Sequence, residues 1–171
     1  MEDTLTLIEI EKEIPRLRRY ARYLVRDGSQ ADDLVQETLA RAIEKLHTWQ
    51  TGTNMRAWLF VIMRNSFISE GRKAQRRPVT SILRDDHPVF AVAGGEETHV
   101  AFMDVQKAFE SLPDDHRDVL LLVVIEGLKY EEAAAILNVP IGTVRSRVAR
   151  ARTALRDLLE DSEDSKVKVL P

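Results

Sequence analysis

The sequence predicts an all-α chain: two small helical domains joined by a flexible linker, the second domain containing a helix-turn-helix. Three observations carry this. Apolar residues recur at helical spacing along most of the chain, and no segment alternates in the manner of a strand. Residues 78–98, PVTSILRDDHPVFAVAGGEET, hold Pro78, Pro88 and the Gly94–Gly95 pair with no sustained helical period, a stretch too long and irregular to sit inside one compact domain. Residues 127–156, GLKYEEAAAILNVPIGTVRSRVARARTALR, read as a short helix from Tyr130 to Leu137, a tight turn around Val139, Pro140 and Gly142, and a second helix opening at Thr143. In that layout the second helix enters the DNA major groove. Domains are therefore expected at 1–77 and 99–160, with a linker over 78–98 and a charged tail over 161–171.

In the first half, Ile14, Leu17, Ala21 and Leu24 keep helical spacing, with Pro15 placed near a helix start, where its missing N–H costs little. Asp27–Gly28 ends this helix, and Ser29 is expected to cap the next, with Asp32 three residues on. There Val35, Leu39, Ala42 and Leu46 form the expected buried stripe, while Asp33, Glu37, Ala40, Arg41 and Glu44 face outward beside Asp32 and Gln36. A polar loop, Thr48 to Asn54, breaks the pattern. A third helix starts near Met55, carries Trp58, Leu59, Ile62 and Phe67, and then turns basic. Trp58 is expected in the core; Trp49 is left open between packing and ligand contact.

The second half opens with a helix from Val100 to Leu112. Pro113–Asp114 starts another, which runs through Leu122 to Ile125 until Gly127 stops it. The helix-turn-helix follows. On its second helix, spaced at about 100° per residue, Val144, Val148, Ala151, Leu155 and Leu158 share one stripe and face the core. Arg145, Ser146, Ala149, Arg150 and Thr153 point away. Five arginines (145, 147, 150, 152 and 156) and no acid lie between Ile141 and Arg156. A solvated surface helix ordinarily mixes both signs.

The net charge of −3, taken alone, argues against a nucleic-acid binder, but the clustering of the positive residues argues for one. Between Arg64 and Arg77 five positive residues (Arg64, Arg72, Lys73, Arg76 and Arg77) face one negative, Glu70. There is no cysteine, so thiolate metal sites and cysteine nucleophiles are excluded. The histidines at 47, 87, 99 and 116 are nowhere at zinc-ligand spacing. With no glycine-rich phosphate loop and no nucleophile–base pattern, the chain is not expected to be an enzyme or to need a cofactor or metal. The acidic start MEDTLTLIEIEKE lacks the basic region of a signal peptide, and apolar runs such as Ala57 to Met63 are far short of a membrane span. A cytoplasmic protein without membrane insertion is expected.

Three segments in series, DDLVQETLARA (32–42), MRAWLFVIMRN (55–65) and SLPDDHRDVLLLVVIEGLKYEEAAAILNVPIGTVRSRVARAR (111–152), resemble bacterial sigma factors of the extracytoplasmic-function group of the sigma-70 family. The resemblance spans Ile14 to Leu159 in the family's order. GTNMRAW and FVIMRN are most similar to the subgroup that directs a general stress response through an anti-sigma and response-regulator partner switch. The resemblance implies an alternative sigma factor whose amino-terminal domain binds the polymerase and melts the minus-ten element, while the carboxy-terminal domain reads the minus-thirty-five element. Its implied partners are core RNA polymerase (the clamp helices of the largest subunit and the flap region), promoter DNA and an anti-sigma factor, with a monomer when free.

Carried over residue by residue, the resemblance puts base contacts at Arg145, Ser146, Ala149 and Arg150, the face that helical spacing turns outward. Arginine can fork onto guanine, and alanine can pack a thymine methyl. Arg147, Arg152 and Arg156 suit phosphates, and Thr143 suits a cap whose helix end also favours a phosphate. For any single flanking arginine, plain solubility is the bland alternative. Asn65 matches the position that recognises an unstacked minus-ten base, with Ser69 one turn on. The loop Thr48 to Arg56, offering Thr51, Thr53, Asn54 and Trp49, matches the pocket for a flipped base. Arg64, Arg72, Lys73, Arg76 and Arg77 would follow the backbone. Asp32, Asp33, Gln36 and Glu37, with Arg41, match the surface for the clamp helices. Two rivals remain: a sigma mimic that sequesters an anti-sigma factor without touching DNA, and a plain helix-turn-helix regulator. The first should lack the recognition-helix arginines, and the second leaves the melting-type first domain unexplained.

Overall fold

The computed structural model describes residues 2–25, 27–74 and 96–167, with side chains described over residues 6–25, 27–71 and 103–160. All regular structure among them is helical, and the chain divides into two compact units, Met1–Val89 and Phe90–Pro171. The expected all-α class and two-unit organisation are what the molecule has. Most of the linker expected over 78–98 lies outside the described residues. Its last part does not, because a helix already begins at Glu96. No helix among the described residues is long and apolar enough to cross a membrane.

In the first unit α1 (Glu2–Val25), α2 (Gly28–Glu44) and α3 (Met55–Ala74) pack pairwise against one another, with a single 3-10 turn at Leu46–Thr48 after α2. Leu17, Tyr20 and Ala21 of α1, Leu34 and Val35 of α2, and Leu59, Phe60 and Met63 of α3 are buried. Side chains such as Leu17, Leu59 and Phe60 contribute about 1.5–3 kcal/mol each by leaving water. Tyr20 and Phe60 stack with ring centroids 4.4 Å apart, tying α1 to α3.

Several expected details differ. Pro15 stands inside α1 rather than near its start. It lies on the exposed face, so water can satisfy the Glu11 carbonyl that a proline leaves without a donor. Asp27, not Ser29, caps α2: its Oδ1 accepts the Gln30 N–H at 2.7 Å, which starts the helix at Gly28. The buried stripe of α2 is Ala31, Leu34, Val35, Thr38 and Ala42, while Leu39 and Leu46 are half-buried. Thr38 enters the core because its hydroxyl donates to the Leu34 carbonyl at 2.7 Å, which removes the penalty of an unsatisfied polar group. On α1, Ile10 and Tyr20 are buried, and Ile14 and Leu24 only partly so. Trp58 is half-buried rather than central; Leu59, Phe60 and Met63 fill that space.

In the second unit α7 (Ile141–Val167) is the spine against which α4 (Glu96–Ser111), α5 (Asp114–Leu120) and α6 (Tyr130–Leu137) pack. Helix α5 continues into a π-helical segment, Leu121–Ile125, in which the Glu126 N–H reaches back to the Leu121 carbonyl at 2.9 Å. Gly127, at φ 67°, then ends the helix in the left-handed region. Phe109, Leu112, Val119 to Leu122, Ala133, Ile136, Val144, Val148 and Ala151 form the core.

Candidate nucleic-acid interface and acidic helix face

The helix-turn-helix is built by local chemistry. The Glu132 carboxylate accepts the Lys129 N–H at 2.8 Å, closing the amino end of α6. At its other end Asn138 takes the left-handed conformation (φ 53°, ψ 48°), and the Val139 N–H returns to the Ala134 carbonyl at 3.1 Å. The Pro140 carbonyl then accepts the N–H groups of Thr143 (2.9 Å) and Val144 (3.3 Å), so α7 opens at Ile141 and not at Thr143. Gly142 and Thr143 therefore belong to the first turn of α7. Thr143 is not its cap, and its carbonyl instead accepts the Ser146 hydroxyl at 3.0 Å.

Beyond that turn, Val144, Val148 and Ala151 point into the unit, and Leu155 and Leu158 are half-buried. Arg145, Ser146, Ala149, Arg150, Arg152, Thr153 and Arg156 are exposed, so the four expected base-contacting residues do share one solvent face. Two of them are linked: Arg150 donates from Nε to the Ser146 carbonyl (3.3 Å) and from Nη2 to its hydroxyl (3.2 Å). Arg147 differs from the other arginines. It is half-buried, and its Nε lies 3.2 Å from Asp115 Oδ2 on α5.

In the first unit, Thr51, Gly52, Thr53 and Asn54 are exposed at a turn that precedes α3. The backbone N–H and hydroxyl of Thr53 both donate to the Gln50 carbonyl (3.1 and 2.7 Å), and Gly52 has φ 87°. Asn54 covers the start of α3, accepting the Trp58 N–H on its carbonyl (3.2 Å) and the Ala57 N–H on Oδ1 (3.4 Å). Trp49 is half-buried, and its buried indole Nε1 has no hydrogen-bond partner among the described residues. Farther along α3, Asn65 is exposed and Ser69 half-buried, and Arg64 donates from Nη1 to the Tyr20 hydroxyl at 3.3 Å. At 1.5 Å per residue, Asn54 and Asn65 are about 16 Å apart along the helix axis, so they suit separate contacts and not one grip on one base. The backbone of Arg72 and Lys73 continues α3, but their side chains, and all of Arg76 and Arg77, lie outside the described residues.

Asp32, Asp33 and Gln36 are exposed on α2. Glu37 is not: half-buried, it pairs with Arg41 at 2.5 Å one turn on. Asp32 lies 3.8 Å from Arg18 of α1. Sequence reasoning missed these partners, along with the Glu13–Arg56 ion pair, in which Arg56 Nε donates to Glu13 Oε2 at 2.7 Å. Arg18–Asp32 and Glu13–Arg56 join different helices and leave no local spacing to read, whereas Glu37 and Arg41 stand four apart on α2, a spacing the sequence does show.

The family model described as the Sigma2 domain of PhyR matches residues 10–64, and the model for sigma-70 region 4 matches residues 102–155. The chain is 42% identical over 146 residues to the ECF RNA polymerase sigma factor EcfG of Rhodopseudomonas palustris (strain TIE-1), covering 85% of this chain and 80% of that one. It is 38% identical over 147 residues to the ECF RNA polymerase sigma factor SigC of Mycobacterium tuberculosis, covering 85% and 76%. Among solved structures it is similar to the sigma factor RpoE of Bartonella quintana, crystallised with the anti-sigma factor NepR, at TM-score 0.72 and 36% identity, covering 94% of this chain and 98% of that one. Two helical units, one of them carrying a helix-turn-helix with an exposed basic face, define a transcription factor. The chain belongs to the extracytoplasmic-function group of RNA polymerase sigma factors. It is thus an alternative sigma factor that directs core RNA polymerase to promoters, and its relatives are initiation factors rather than enzymes.

Proposed function

We propose that this sigma factor divides promoter recognition between its units, and that an anti-sigma factor of the NepR kind holds it inactive until a general stress signal releases it. The observation that carries the DNA-reading half is the solvent face of α7. Arg145, Ser146, Ala149 and Arg150 stand exposed together on a helix whose opposite side is sealed by Val144, Val148 and Ala151. Arg145 and Arg150 supply forked donors for guanine, and Ala149 offers a methyl surface for thymine. Arg152 and Arg156 hold phosphates, which set register without reading sequence. Thr143, in the first turn of α7, is near the phosphate that a helix amino end attracts. Arg147 contributes to phosphates only when it leaves Asp115.

In the first unit, the loop with Thr51, Thr53 and Asn54 holds a base flipped from the minus-ten element. Asn65, with Ser69, reads a second unstacked base, and Arg64, Arg72, Lys73 and Arg76 follow the strand. Asp32, Asp33, Gln36, Glu37 and Arg41 meet the clamp helices of the largest polymerase subunit, and the second unit sits at the flap region. On this reading the first domain runs over 1–77 and the second, expected over 99–160, opens with α4 at Glu96; the free protein is a cytoplasmic monomer, and an anti-sigma factor occludes both domains. A structural relative, RpoE of Bartonella quintana, forms a complex with NepR, which supports the same kind of partner here.

The exposed arginines of α7 favour this reading over a DNA-free mimic, and the 42% identity to EcfG through both units favours it over a plain helix-turn-helix regulator. Transcription in vitro with core polymerase on a random promoter library tests it. A two-part promoter motif should emerge, and added NepR-type protein should abolish it. Transcripts no different from those of core polymerase alone would refute the reading.

A further inference from the structure

Arg56 stands in the first turn of α3 and reaches Glu13 of α1, 43 positions away in sequence. Its Nε donates to Oε2 at 2.7 Å and its Nη2 to Oε1 at 3.4 Å, so guanidinium and carboxylate meet fork to fork. Only 19% and 18% of the two side chains is exposed, and Arg16 Nε adds a second positive group 3.8 Å from the same carboxylate. Such a pair fixes orientation as well as distance. The buried neighbours Met55 and Ala57 also hold this turn, but apolar burial is non-directional and does not set where the turn points.

What the pair holds is the base of an exposed loop. Residues 51–54 are bounded on one side by the Thr53–Gln50 turn and on the other by Asn54, whose carbonyl and side chain cover the start of α3. The loop's outgoing end takes its position from the first turn of α3, and Arg56 locks that turn to α1. Capturing a base as it leaves the stack requires a receiving surface that is already in place; a loose loop must be ordered at the same moment and loses rate for it.

We propose that Glu13 and Arg56 are positioning residues for promoter opening, fixing where the loop presents Thr51, Thr53 and Asn54 to an unstacked base. This rests on the role assigned to that loop above. On this proposal both act through the loop and not by contact with the base.

The test uses the full chain with core polymerase and compares strand opening on a duplex promoter with the same promoter already unpaired across the minus-ten element. Glu13→Gln, which keeps side-chain size, and Arg56→Lys, which keeps the charge but loses the guanidinium fork, should each slow duplex opening about tenfold. They should leave core polymerase affinity at the parental value and cost far less on the unpaired template. The reversed pair, Glu13→Arg with Arg56→Glu, should recover most of the rate. Parental opening by Glu13→Gln overturns the proposal. So does equal loss on both templates, the mark of a merely structural role, and so does a reversed pair that keeps the parental melting temperature yet opens as slowly as the single variants. The triple variant Thr51→Ala, Thr53→Ala and Asn54→Ala separates the two layers. If that variant opens duplex DNA at the parental rate, the loop's role fails and the pair's with it. If it is slow while Glu13→Gln is fast, the pair's role fails and the loop's stands.

Discussion

Arg147 Nε lies 3.2 Å from Asp115 Oδ2, so the first turn of α5 holds one arginine of α7. The pair is half-exposed and contributes at most about 1 kcal/mol to stability. It matters more for charge, because it removes one of the five arginines between Ile141 and Arg156 from those ready to meet a phosphate. Asp115→Asn should raise affinity for upstream-element DNA and steepen the log–log salt dependence by about one unit. Fluorescence anisotropy across a salt series measures both. An unchanged slope would mean that Arg147 stays away from phosphates even when unpaired.

Arg145 and Arg150 should separate from Arg156 by the kind of loss they cause. Arg145→Ala or Arg150→Ala is expected to cost about 1–3 kcal/mol at the upstream element and to relax preference at one base pair. Arg156→Ala should weaken all sequences evenly and lower the salt slope by about one unit. Competition binding over a set of single-base variants distinguishes the two patterns. Identical preference and slope in every mutant and the parent would remove the base-reading role from this face. Because Arg150 donates to the Ser146 hydroxyl, Ser146→Ala combined with Arg150→Ala should be less than additive.

Asn65 is exposed on α3 beside Arg64, whose guanidinium is held by the Tyr20 hydroxyl. Its proposed partner base becomes available only after unstacking. Asn65→Ala should therefore leave closed-complex formation intact and impair opening, and a promoter with an artificial bubble should recover most of the loss. Permanganate reactivity of the minus-ten thymines reads this directly. Equal reactivity with mutant and parent on duplex DNA would assign Asn65 no part in melting.

The sequence was most readable where chain-breaking residues mark the ends of elements. Helix α6 spans Tyr130–Leu137 as expected, because the Lys129–Glu132 contact starts it and left-handed Asn138 stops it. Helix α7 starts at Ile141 and not at Thr143 because the Pro140 carbonyl already accepts the first helical bonds, although Pro140 and Gly142 both read as turn residues. Cap choice at α2 failed for a related reason: Asp27 and Ser29 are both good caps, and only the backbone shows which side chain meets a free N–H. Helical spacing found the sealed side of α7 but shifted the stripe on α2, where Thr38 is buried through a bond to its own helix. The fate of charges was least readable. Arg147 and Arg56 each look like solvated residues in sequence, and in the fold each has a specific partner on another helix.

Asp33 and Glu37 test whether the acidic face of α2 joins the polymerase. They lie four residues apart on one helix, away from the buried Leu34, Val35 and Thr38, so replacing them should spare the core. Their environments differ. Asp33 is exposed, whereas Glu37 pairs with Arg41, and a lysine at 37 would face that arginine one turn on, a repulsion of about 0.2–0.5 kcal/mol. At an interface, charge reversal sets like charges together and can cost several kcal/mol. Asp33→Lys with Glu37→Lys should therefore abolish association with core polymerase while circular dichroism shows the parental helix content. Glu37→Gln, which breaks the Arg41 pair without reversing charge, serves as the control and should retain most of the association. If the double variant copurifies with core polymerase at parental levels, the face is merely solvated and the polymerase is held elsewhere on the chain.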